Sequence, residues 1–161
     1  MTLFVEVLER ELVNLERLGV RVRVIGELDR LPDATRAAFE RCVDRTADNS
    51  GMTLVVALNY GGRADIANAA RSIAADVAAG TLDLEAVDET AITSRLSTAG
   101  IPDPDVVVRT SGEVRISNFL LWEIAYSELY VTATLWPDFN RTDLLKAVVD
   151  FQKRSRRFGG R

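Results

Sequence analysis

The sequence predicts an α/β domain, a mostly parallel sheet with helices on both faces. Three observations carry this reading. Short β-branched runs alternate with longer amphipathic segments, the pattern of βαβ units. One run, Met52 to Leu58 (MTLVVAL), is almost wholly apolar, as expected of a strand covered on both faces. Segments rich in glycine, arginine or other polar groups, 59–63, 109–113 and the nearby 115–118, lie at strand ends, where open parallel sheets place their ligands.

The elements follow in order. Over residues 3–18, Phe4, Leu8, Leu12, Leu15 and Leu18 recur every three or four positions, which predicts an amphipathic helix stopped by Gly19. Val20 to Ile25 (VRVRVI) alternates as a strand does. Pro32 suits the first turn of a helix running to about Ala47, and Asp48 to Gly51 form a turn. The Met52 to Leu58 strand leads through Asn59-Tyr60-Gly61-Gly62-Arg63 into an alanine-rich helix, Ala64 to Ala79, closed by Gly80. A shorter helix, Glu89 to Ser97, has Asp88 as its N-cap. Asp105 to Val108 predicts a buried strand, Phe119 to Ser127 a helix, and Leu129 to Leu135 a last strand. Asn140 caps a final helix from Thr142 to about Arg156. The chain begins on a helix with no strand before it, so the start of the domain is expected to be missing.

Composition excludes several functions. The 161 residues are 47% hydrophobic and 27% charged, the balance of a single globular domain. A formal net charge of −4 argues against a bulk nucleic-acid binder. The lone Cys42 and the absence of histidine remove disulfide frameworks, histidine or cysteine-rich metal sites, and histidine triads. No apolar stretch is long enough to span a membrane. The first eleven residues hold three glutamates and no basic n-region, unlike a signal peptide. A cytoplasmic location is expected.

The chemistry gathers at the strand ends. Arg109-Thr110-Ser111-Gly112-Glu113 and the neighbouring Arg115-Ile116-Ser117-Asn118 put two arginines and a serine around one terminus. Arginine forks and a hydroxyl suit phosphate oxygens, so Arg109, Arg115 and Ser117 are candidate anion ligands. The alternative is that these arginines pair with Asp105 and Glu113. For Gly61-Gly62, an ordinary turn is the favoured reading. With these residue types, a metal would be a hard ion held by oxygen, Mg2+ foremost. Glu128, where an apolar helix meets a strand, is a candidate ligand. Glu123 competes with it, and a satisfied interfacial glutamate is the plainer alternative. The aromatic run Phe119 to Val131 reads as core, or as a subunit interface or apolar tunnel. The tail Lys153 to Arg161 has five basic residues and a Gly-Gly end. A helix C-terminus favours cations; the tail could instead wrap a phosphate.

Taken in order, these segments resemble the cis-prenyltransferases, the undecaprenyl diphosphate synthase type. The match runs from Arg109 through Glu128 (RTSGEVRISNFLLWEIAYSE), through Leu135-Trp-Pro-Asp-Phe139 and Arg156-Arg-Phe-Gly-Gly160, and upstream through Val22 to Gly26 and Leu58 to Arg63. The resemblance implies a partial cis-prenyltransferase domain over residues 1–161. It implies condensation of isopentenyl diphosphate with an allylic diphosphate to a Z-polyprenyl diphosphate, with Mg2+. By the same resemblance Arg109, Arg115, Ile116 and Ser117 hold isopentenyl diphosphate and Glu128 ligates the metal. Arg157 and Gly159 belong to an R-x-G motif that reaches a partner's site in a homodimer or a heterodimer with a related subunit. Membrane contact would be peripheral, through the lipid product. The family's M-D-G-N-G-R-W-A phosphate loop and S-x-E-N segment are not found in these residues, and Val114 stands where some members have histidine. The isolated chain is therefore expected to be inactive, and of marginal stability. A complementing, non-catalytic subunit is the alternative, and a phosphate- or nucleotide-binding module is the reading outside the family.

Overall fold

The computed structural model describes residues 2–154, which fall into two compact units that divide between Ala99 and Gly100. The first unit contains α1 (Thr2–Arg17), β1 (Arg21–Gly26), α2 (Asp33–Arg45), β2 (Thr53–Leu58), α3 (Gly62–Ala78) and α4 (Glu89–Thr93). The second contains β3 (Val106–Arg109), β4 (Glu128–Val131) and α5 (Arg141–Lys153). Both strand pairs are parallel, β1 with β2 and β3 with β4.

In the first unit the pairing runs from Arg21 opposite Thr53 to Gly26 opposite Leu58. Two parallel neighbours need a crossover, and α2 supplies it. Leu12 of α1, Val22 of β1 and Cys42 of α2 form the buried cluster, flanked by Leu8, Leu15 and Val43. The three leucines of α1 are spaced by four and three, so they share one face of the helix. Thr46, just past α2, ties the layers together. Its Oγ1 accepts a hydrogen bond from the Val22 amide at 3.0 Å and donates to the Cys42 carbonyl at 2.8 Å. Asp65 of α3 accepts from both the amide and the hydroxyl of Ser97, at 3.1 and 2.7 Å. Arg95 reaches Asp76 of α3 through Nε and Nη2, at 3.1 and 2.7 Å.

Gly26 ends β1 with φ +105°, and a Cβ there would lie 2.1 Å from the Leu58 carbonyl oxygen. Only glycine lets the two strand ends approach this closely.

Several expectations need correction: α4 stops at Thr93 and not at Ser97, and β3 is half-buried and not buried. Strand β2 is not covered on both faces: Thr53 and Leu54 are exposed and the rest half-buried. Its described sheet partner is β1 alone, so part of its apolar surface meets solvent. Residues 119–127 are a run of turns, not a helix. Ser117, Asn118 and Leu120 sit at φ +54°, +62° and +46°, in the left-handed region that interrupts a right-handed helix. The last strand ends at Val131 and the last helix at Lys153, where Arg154 turns to an extended backbone. The caps are as expected. Asp88 accepts from the Ala91 amide at 2.8 Å. Asn140 and Asp143 form a reciprocal capping box on α5.

Candidate active site

Strand β3 ends at Arg109, and the chain then folds back sharply. Ser111 and Gly112 are consecutive left-handed residues, at φ +66° and +68°. Their amides donate to the carbonyls of Thr134 and Thr132, at 2.9 and 2.8 Å, so the turn lies against the chain that continues β4. This returns Glu113 to Arg109 without a helix. The Glu113 carboxylate accepts from Arg109 Nη2 through one oxygen and from Arg115 Nη2, at 2.5 Å, through the other. The Arg109 hydrogen bond, helped by the charge on Arg115, holds the Glu113 carboxyl below its ordinary value of 4.5. Arg109 Nε is buried with no hydrogen-bond partner.

A cavity of about 320 Å³ opens beside this cluster. Arg109 and Arg115 line it together with Val107, Ile116, Phe119, Ile124 and Leu129. Two fixed cations beside apolar walls suit an anionic head joined to a short hydrocarbon. Arg109, Arg115 and Ile116 are thus brought together. Ser117 is exposed and does not line the cavity. The pairing of both arginines with Glu113, the alternative open in the sequence, is present alongside the cavity. The apolar walls from Phe119, Ile124 and Leu129 belong to the aromatic run that the sequence singles out.

Glu128 lies elsewhere. It opens β4 opposite Val106, whereas Arg109 closes β3 opposite Val131. That is three residues along the strand pair, about 10 Å. Side chains alternate across a strand, so Arg109 and Glu128 project from opposite faces. The Glu128 carboxylate accepts from Arg154 Nη1 at 2.8 Å, and Arg154 also bonds Asp150 at 2.6 Å. Glu128 first, then Asp150, raises the Arg154 pKa and keeps its guanidinium charged. Glu123 is buried, 6% exposed, within the turn segment. No group of three or more acidic, cysteine or histidine side chains able to hold a metal occurs among the described residues. Arg157 and Gly159 lie outside the described residues.

A second cavity, of about 290 Å³, sits at the carboxyl ends of β1 and β2. Gly26, Asn59, Tyr60, Gly61, Asp65 and Ser97 are among its lining residues, and Arg63 is not. Gly61 is the extended N-cap of α3 and Gly62 its first residue, so the glycine pair starts a helix.

An α/β protein with paired arginines over an apolar cavity at a parallel strand end belongs to the class of α/β proteins whose ligand site lies beyond the carboxyl ends of the strands. The particular family follows from comparison. Residues 1–159 match the prenyltransferase family described as "Putative undecaprenyl diphosphate synthase", and the chain belongs to that family. It is 50% identical over 158 residues to an isoprenyl transferase of Heliobacterium mobile, covering 98% of this chain and 61% of that protein. It is 48% identical over 159 residues to a Xanthomonas axonopodis ditrans,polycis-undecaprenyl-diphosphate synthase that is (2E,6E)-farnesyl-diphosphate specific, covering 99% and 62%. Among solved structures it resembles lavandulyl diphosphate synthase from Lavandula x intermedia in complex with dimethylallyl diphosphate. There the TM-score is 0.95 at 36% identity, over 99% of this chain and 70% of that one. The chain thus spans about three-fifths of the length of the curated relatives it matches. No helix among the described residues is long and apolar enough to cross a membrane.

Proposed function

We propose that the chain serves cis-prenyl transfer, and that its second unit holds isopentenyl diphosphate. The observation that carries this is the convergence of Arg109 and Arg115 on one apolar-walled cavity. In the reaction, the alkene carbon of isopentenyl diphosphate bonds to the allylic carbon. The allylic carbon–oxygen bond breaks, diphosphate leaves with the bonding pair, and a proton leaves the former isopentenyl unit. The arginines would bind the diphosphate of the attacking partner and orient its alkene, gaining strength where apolar walls exclude water. Ser117, by family resemblance, adds a hydroxyl on the same loop.

The phosphate-loop and S-x-E-N motifs are not among these residues, so the 161-residue chain should bind isopentenyl diphosphate without turnover. Detection of polyprenyl diphosphate from the purified chain with an allylic diphosphate and Mg2+ would overturn that expectation. The resemblance assigns Glu128 to Mg2+. Glu128 would be one carboxylate of such a site, and Arg157 and Gly159 would complete a partner's site. A second copy or a related subunit is favoured by the exposed apolar residues of α5, Leu144, Leu145, Val148 and Val149. On this reading the protein works in the cytoplasm and touches membrane only through its lipid product.

The test is calorimetric titration of isopentenyl diphosphate into the folded chain and into Arg109→Gln and Arg115→Gln. Hydrogen bonds to charged groups are worth about 1.5–3 kcal/mol, so each change should weaken binding about ten- to hundredfold. Unaltered binding by the double variant, or none by the folded wild type, refutes the assignment.

A further inference from the structure

The two cations of the cavity are both engaged by a single carboxylate. Glu113 does not form the two-pronged pair that a carboxylate and one arginine favour. It divides its oxygens, one to Arg109 Nη2 and the other to Arg115 Nη2. Arg109 therefore uses one prong, and its Nε is left buried without an acceptor. Such an orphaned donor is costly, so Glu113 alone leaves the Arg109 guanidinium incompletely satisfied. The geometry is local: the left-handed pair Ser111 and Gly112 swings Glu113 back over the end of β3, four residues after Arg109.

We propose that Glu113 is a tethered placeholder anion. Its carboxylate stands between the two guanidinium groups until a diphosphate takes them over. It thereby sets how strongly the cavity prefers a diphosphate to a single phosphate. The inference rests on the diphosphate reading given under Proposed function. A ligand has to displace a carboxylate that competes at the high effective concentration of a tethered group. One phosphate brings one anionic centre to contest two arginines. A diphosphate brings two phosphoryl groups, one for each guanidinium. Removing the placeholder's charge therefore helps the weaker competitor more. Glu113 on this account is a specificity-determining residue that acts through Arg109 and Arg115.

The experiment titrates inorganic pyrophosphate and inorganic phosphate, at fixed ionic strength, into the wild-type chain, Glu113→Gln and Glu113→Ala. Far-UV circular dichroism checks that each is folded, and the alanine variant serves if the glutamine variant does not fold. Both variants should bind phosphate more tightly, by about two- to fivefold for exposed charge pairs, and pyrophosphate by less. The pyrophosphate-to-phosphate preference then falls. A residue that only orients the arginines would lose affinity on substitution. Weaker binding, or an unchanged preference in a folded variant, therefore overturns the placeholder role. If the wild type binds pyrophosphate and the preference does not move, this inference alone fails. If the wild type binds neither anion, the diphosphate site fails with it.

Discussion

Thr46→Val isolates the hydrogen bond that joins α2 to β1. The threonine is 0% exposed and Val22 is 2% exposed, so water cannot replace what the hydroxyl provides. Valine keeps the shape and removes the acceptor of the Val22 amide. A buried donor left without a partner costs about 1–3 kcal/mol. The lost bond to the Cys42 carbonyl adds little, because that carbonyl also accepts from the Thr46 amide at 3.2 Å. The expected loss is about 2 kcal/mol, out of the 5–15 kcal/mol typical of a domain. At this chain length it corresponds to a fall of about 4–8 °C in midpoint. Urea unfolding followed by far-UV circular dichroism measures it, and amide exchange at Val22 should lose protection at the same time. Thr46→Ser keeps the hydroxyl and loses one methyl, worth about 1 kcal/mol. A valine variant as stable as wild type, or a serine variant equally damaged, would refute the argument.

Gly26→Ala puts a Cβ 2.1 Å from a backbone oxygen at φ +105°. Backbone strain of about 1–3 kcal/mol and a comparable overpacking cost add together. The first unit should lose cooperative unfolding, and a transition within about 1 kcal/mol of wild type would contradict the close approach. Asp143 in the α5 capping box is held below its ordinary 3.8 by Lys146 first, then by the Asn140 amide. A depressed carboxyl stabilises above its unfolded value and stops doing so as pH falls through the folded one. Asp143→Asn should therefore lower the unfolding midpoint at pH 7, with the difference beginning to shrink below about pH 4 and closing only once pH has fallen through the folded value. A difference that stays constant as pH falls from 7 through the acid range would point to packing instead of charge.

The elements with strict periodicity were legible in the residues. The leucine spacing of α1 reports a face that packs, and the limits of α1 and β1 fall within a residue or two of expectation. The alternation of β1 does not carry over to burial, since Val22 and Ile25 lie on opposite faces and are both buried. The 119–127 run was misleading because it is apolar nearly all round. Such a run satisfies a helical pattern without specifying one, and the left-handed residues at Ser117, Asn118 and Leu120 decide against it. At the site, Arg109 and Arg115 were legible as two arginines close to one strand end. Glu113 could be read as their partner, but its bridging of both depends on the Ser111–Gly112 turn. The placement of Glu128 could not be read at all. Whether it shares a face with Arg109 depends on strand register, and a shift of one residue reverses the answer.

That register makes the β3–β4 pair a partition. Arg109 and Leu129 look into the cavity, while Tyr130 borders a groove against α5 and Glu128 is clasped by Arg154. One wall, four residues deep on each strand, thus keeps a cation-rich compartment and a carboxylate-bearing one back to back. Arg109 and Leu129 on one face of the short strands and Glu128 and Tyr130 on the other thus meet different surroundings at alternate positions.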